Sequence, residues 1–277
     1  MNISTMWLGM QWLKPLFMQN AFMAILLVSP LFGLMGAMVV ANRMAFFSDA
    51  LSHGAFTGVA LGLVWGFLLP WVSAFVFSIF FAIIIVLVKR YSLASPDTVI
   101  GVFSSLAVAG GMLVLSRHGS LARYSHVLIG DILSVSKVDL AILVVLFIVV
   151  MLLWLPMMNH AFLVQIDIGL ARSYYIKPLL IELISTLLLA SLVAFSVNWT
   201  GVLLLNALLV LPAATARLVS KNLRQYHWLA ILFALISGVG GLIISYYSDL
   251  NSSATIVMLC GVFYFSALII RFFRYRY

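Results

Sequence analysis

The sequence predicts an all-α integral membrane protein, a polytopic bundle of about nine transmembrane helices with eight as the alternative count. Three observations carry this. Hydrophobic residues make up 65% of the 277 and charged residues only 8%, and the mean hydropathy of +1.22 lies far outside the range of a soluble domain. The apolar residues gather into nine runs, each long enough for the ~30 Å hydrocarbon core, which takes about twenty residues of helix. Lys and Arg stand singly between those runs, so the net charge of +8 reads as topology and not as a nucleic-acid-binding patch.

Residues 1–19 show no basic stretch ahead of an apolar core, and the run that follows is too long for a cleaved signal. Trp7, Trp12 and Lys14-Pro15 predict a segment at the membrane surface. Helices are then expected near 20–41, 46–66, 71–90, 97–116, 138–158, 177–196, 199–218, 226–247 and 253–272. Together they form a single transmembrane domain over 20–272, followed by a basic tail at 273–277. The segment 121–137 reads as a surface helix or a re-entrant piece, and Asn198-Trp199 as a tight link. Cys260, the single cysteine, excludes an internal disulfide and a multi-cysteine metal cluster.

Orientation follows from the retention of positive residues on the cytoplasmic side. With nine spans and the N-terminus outside, the inner connections hold Arg43, Lys89, Arg90, Arg172, Lys177, Arg217, Lys221, Arg224, Arg271, Arg274 and Arg276, eleven of the fifteen basic residues. Lys14, Arg117, Arg123 and Lys137 fall outside. The C-terminus is therefore expected in the cytoplasm.

The stretch 43–66 carries the chemistry. Asp49 and His53, four residues apart, share one face of a helix about one turn from each other and can hold a cation or a proton between them. Gly54, Gly58, Gly62 and Gly66 recur every fourth residue, a ridge on the opposite side that admits a neighbouring backbone. An ionisable group in hydrocarbon costs at least ~2.5–3.5 kcal/mol, so such residues face a cavity, a partner or a passing ion; a buried pair that only fixes packing is the plainer alternative. Asp97 and Asp139 read as capping acids at span starts, and Glu182, a turn after Lys177-Pro178, as solvated or paired with a basic residue. His118, His126, His160 and His227 fall in connections or at span ends. Asn206, with Pro212 six residues on, is either interhelical glue or a ligand. Ser104 and Ser105 could add weak oxygen contacts or bond back to their own helix.

Four blocks, in order, resemble the membrane permease subunits of bacterial ATP-binding-cassette importers for zinc, manganese and iron: FFSDALSHGAFTGVALG at 46–62, DTVIGVFSSLAVAGGMLVLS at 97–116, VLIGDILSVS at 127–136 and NALLVLPAATARL at 206–218. The resemblance covers roughly residues 20–270. It implies a second copy of the permease, a cytoplasmic pair of ATPase subunits, and a periplasmic or lipoprotein metal-binding protein, in the bacterial inner membrane. It also implies that the connection 159–177 docks on the ATPase through a short helix, here around Asp167, Gly169, Ala171 and Arg172, with Tyr174-Tyr175 where relatives carry a glycine.

The resulting expectation is a transport subunit, not an enzyme, with no permanently bound cofactor. No Gly-rich phosphate loop ending in Gly-Lys-Ser/Thr is present, so ATP would be hydrolysed by another chain. Asp49 and His53 would form a transient site for a divalent cation, with Asn206 as a further ligand. Zinc leads because imidazole suits it, with manganese and iron open and Cu(I) disfavoured by the lack of a nearby thiolate. The alternative is a proton-coupled secondary transporter in which the same two residues relay protons. An intramembrane enzyme lacks a nucleophile beside the pair and a His-Glu-x-x-His motif.

Overall fold

The protein is described here from a computed structural model, which describes residues 11–42, 44–64, 66, 70–117 and 130–274. Trp7, Arg43, His118, Arg123, His126, Arg276 and most of the segment 121–137 lie outside the described residues. Among the described residues nine α-helices follow in order: α1 (Leu16–Ala41), α2 (Ala45–Val64), α3 (Pro70–Tyr91), α4 (Pro96–Arg117), α5 (Lys137–Ile166), α6 (Ile168–Ser173), α7 (Pro178–Val219), α8 (Leu223–Ser248) and α9 (Ser252–Arg274). No strand occurs among the described residues.

Among the described residues seven helices, all but α2 and α6, are long and apolar enough to cross a membrane. Two local facts reconcile this with the expected nine. The 42 residues of α7 lose helical geometry at Gly201 (φ 70, ψ 166), a conformation open to glycine, so α7 comprises two arms where runs at 177–196 and 199–218 are expected. The break falls at Gly201, and Asn198-Trp199, expected as a tight link, are helical. The 20 residues of α2 are long enough to span, but Ser48, Asp49, Ser52, His53 and the glycines lower their hydropathy. Each predicted run therefore has a helix at its centre, with the second ending at Val64, short of the expected 66.

Local chemistry sets the ends. Ser95 caps α4, its Oγ accepting from the Thr98 N–H at 3.2 Å, with Pro96 and Asp97 in the first turn; Asp97 complements the dipole and the serine does the capping. At α5 the Ser136 Oγ accepts from the Asp139 N–H at 3.2 Å, while Asp139 Oδ2 accepts from the Ser136 N–H at 3.0 Å, a reciprocal cap. Near the N-terminus Trp12 is buried and meets Phe22 edge-on at 5.3 Å, so it packs onto α1 instead of standing at a surface.

The chain divides into two compact units. One draws on Met1–Ala37, Ile129–Val145 and Trp199–Tyr277. Here α1 and α8 meet closely: a Cβ on Gly33 would stand 2.8 Å from the Ala230 carbonyl oxygen, and Tyr226 donates its hydroxyl to the Ala37 carbonyl at 3.0 Å. His227, expected at an interface, is buried with its Nδ1 2.9 Å from the Leu223 carbonyl. The described end of the 121–137 segment packs inward: Asp131 caps a short 3-10 turn at Ile132–Ser134, and Ile132 and Val135 are buried.

The other unit draws on Met38–Leu128 and Leu146–Asn198, with α2 packed between α3 and α4. The glycine ridge faces α3. A Cβ on Gly54 would meet the Phe81 ring at 2.7 Å, and one on Gly58 would stand 2.8 Å from the Ala74 Cα, while Gly62 lies against the Ser73 side chain. Gly66 differs, because α2 has ended at Val64; it is a turn residue with φ +70 and nothing within 4 Å of its Cβ position.

Candidate functional site

The helical register of α2 puts Asp49 and His53 on one face, as the spacing predicts, with Asp49 Oδ1 3.4 Å from His53 Nε2. That separation exceeds the 2.7–3.2 Å of a good N–H···O bond, ~3.0 Å in the usual case. A second helix joins them. Ser104 of α4 donates its hydroxyl to Asp49 Oδ2 at 3.2 Å. One turn beyond His53, Thr57 bonds both to the His53 carbonyl at 3.0 Å and to the Ala107 carbonyl of α4. The α2–α4 seam thus carries two polar rungs with His53 between them.

Both side chains keep some access, 38% exposure for Asp49 and 19% for His53. The imidazole Nδ1, by contrast, is buried and has no hydrogen-bond partner among the described residues. A cation bound at Nε2 requires that nitrogen to be unprotonated, which moves the proton of the neutral ring to Nδ1. A buried donor without an acceptor costs about 1–3 kcal/mol, so a cation taken at Nε2 would be held weakly. No group of three or more His, Cys, Asp or Glu gathers among the described residues.

Asn206 lies on the second arm of α7, in the first unit and half-buried between Leu205 and Ala207. Asp167 caps α6, its Oδ1 accepting from the Gly169 N–H at 2.6 Å and the Leu170 N–H at 3.1 Å. Ala171 is buried, while Asp167, Gly169 and Arg172 are exposed. The α6 surface also presents Ile168, Leu170, Tyr174 and Tyr175, all exposed, and Tyr175 adopts a left-handed φ of 59.

A pairing that the sequence left open is that of Glu182, which binds Lys89 of α3. The pair lines a cavity of about 360 Å³ with Met38, Asn42, Met44 and Ile168. Lys89 Nζ also lies 3.6 Å from the Met44 sulfur.

A multi-pass helical chain in which Asp49 and His53 share one face of a polar, glycine-packed helix, with a short exposed helix in a connection, has the architecture of a membrane transport permease. The chain belongs to the ABC 3 transport family, which it matches over residues 15–271. It is 28% identical to the manganese transport system membrane protein MntC of Listeria monocytogenes, covering 91% of this chain and 90% of that one. It is 29% identical to the probable iron transport system membrane protein of Haemophilus influenzae, over 92% and 95% of the two chains. The high-affinity zinc uptake system membrane protein ZnuB of the same organism is 30% identical over 83% of this chain and 88% of its own. Among solved structures, PsaBC from Streptococcus pneumoniae in complex with Fab superposes with a TM-score of 0.82 at 28% identity, over 96% of this chain and 95% of that one.

Proposed function

We propose that this chain is the permease subunit of an ATP-driven importer of divalent transition-metal cations, with Asp49 and His53 as a waystation and zinc as the preferred cargo. The observation that carries the reading is the pair itself: Asp49 Oδ1 and His53 Nε2 stand 3.4 Å apart on one face of α2, close enough for one ion to meet a carboxylate oxygen and an imidazole nitrogen together. Zinc leads because imidazole suits it. The relatives named for manganese, iron and zinc transport support the class of cargo, since all three ions take nitrogen and oxygen ligands. Two ligands and an unsatisfied Nδ1 suit a conduit, where tight binding would block release.

In this reading α6 is the docking element for a cytoplasmic ATPase, capped by Asp167, anchored by Ala171 and presenting Gly169 and Arg172 with Ile168 and Leu170. A second copy of the permease, a pair of ATPases and an external metal-binding protein complete the importer in the bacterial inner membrane, with the N-terminus outside and the C-terminus in the cytoplasm. Asn206, on the second arm of α7, is a separate polar station for the cation. The test is uptake of ⁶⁵Zn and ⁵⁴Mn into proteoliposomes holding this chain, its ATPase and the metal-loaded binding protein. ATP-dependent accumulation of zinc in preference to manganese is expected; uptake independent of ATP but abolished by an uncoupler would replace the reading with a proton-coupled carrier.

A further inference from the structure

We infer that Ser104 is a positioning residue that sets metal selectivity by holding Asp49 to one-oxygen coordination, an inference that rests on the reading of Asp49 and His53 as cation ligands. Two adjacent serines on α4 behave differently. Ser105 bonds back to its own helix, donating to the Gly101 carbonyl at 3.0 Å, the ordinary habit of an intrahelical serine. Ser104 instead reaches across to Asp49 Oδ2 at 3.2 Å. Its reach is fixed from below: Thr57 ties α2 to the Ala107 carbonyl, one turn further along α4, and Gly111 brings the helices together with a Cβ position 2.9 Å from the Phe56 ring.

The consequence concerns the carboxylate. Oδ2 accepts from the serine, and Oδ1 faces His53 Nε2, so an ion arriving beside the imidazole finds one oxygen oriented toward it and the other engaged. One-oxygen coordination with an imidazole suits the four-coordinate demand of zinc. Ions that prefer more oxygen ligands, such as manganese, gain from a carboxylate that can swing both oxygens onto the metal. Ser104 withholds the second oxygen.

The experiment measures ⁶⁵Zn and ⁵⁴Mn uptake, in direct competition, by the intact importer carrying Ser104→Ala, Ser104→Thr, Asp49→Asn or His53→Ala. Losing one hydrogen bond to the carboxylate corresponds to a shift of about 3- to 10-fold, so Ser104→Ala is expected to lower the zinc-to-manganese ratio by that factor while manganese uptake persists. Ser104→Thr, which keeps the hydroxyl, is expected to retain the parent ratio. A merely structural serine would reduce both metals together, and an unchanged ratio in Ser104→Ala with Asp49→Asn and His53→Ala inactive would overturn this inference alone. Full uptake by both Asp49→Asn and His53→Ala would overturn the waystation reading and this inference with it.

Discussion

Gly58 lies against Ala74 so closely that a Cβ in its place would stand 2.8 Å from the Ala74 Cα. The obstacle is backbone, which has no rotamer to give. Gly58→Val is therefore expected to force α2 and α3 apart at a cost of about 1–3 kcal/mol, read as a fall in the melting temperature of the detergent-purified protein. Gly101→Ala is the control, because nothing lies within 4 Å of its Cβ position and alanine favours helix by up to ~1 kcal/mol. Equal melting temperatures for both variants would contradict close packing at the ridge.

Asp49→Asn removes the charge and leaves an oxygen for Ser104 to meet; His53→Ala removes the nitrogen. Each is expected to lower metal uptake by more than about tenfold, the equivalent of ~1.4 kcal/mol, with unchanged expression and a monodisperse size-exclusion profile. Uptake and size-exclusion profiles collapsing together would instead mark the two residues as structural.

Lys89 and Glu182 share an ion pair at 15% and 34% exposure, so removing one partner strands the other beside the cavity. Lys89→Met should destabilise by about 1–3 kcal/mol, less than a fully buried pair because water reaches the carboxylate. Adding Glu182→Gln should recover most of that loss. Urea or thermal unfolding of the two variants side by side makes the check.

Tyr175 holds a left-handed φ of 59 with its ring 95% exposed, so backbone strain and side-chain function can be separated there. Tyr175→Gly relieves about 1 kcal/mol of strain and loses a similar amount to the freer unfolded chain, leaving stability near that of the parent. Tyr175→Ala keeps the strain. If the ring contacts the ATPase, both variants should weaken its co-purification alike; a difference between them would trace the effect to the turn.

Much of the site is readable because it is local. The i to i+4 spacing of Asp49 and His53 fixes their shared face without any tertiary knowledge, and the first three glycines reveal the packing side. Gly66 continues the same period and does something else, since spacing does not say where a helix stops. Partners distant in sequence are harder to read. Ser104 lies 55 residues from Asp49 and Lys89 lies 93 from Glu182, and the adjacent Ser104 and Ser105 are alike as letters until α4 is placed against α2. Tyr175 likewise adopts a left-handed φ of 59 without being glycine, a conformation that its side chain does not announce.

The polarity of α2 also bears on how the protein is made. This helix is not among the seven apolar enough to cross a membrane by composition, and Phe47, Ala50, Leu51, Ala55, Val59 and Ala60, which supply much of its apolar surface, are covered inside the fold. A segment with an acid and a histidine enters lipid poorly by itself. Entry of α2 into the bilayer during synthesis is therefore expected to wait on α3, which begins at Pro70 and accepts the glycine ridge. Insertion of the two helices as a hairpin is the expected consequence, and a nascent chain halted before α3 should leave Asp49 and His53 outside the bilayer.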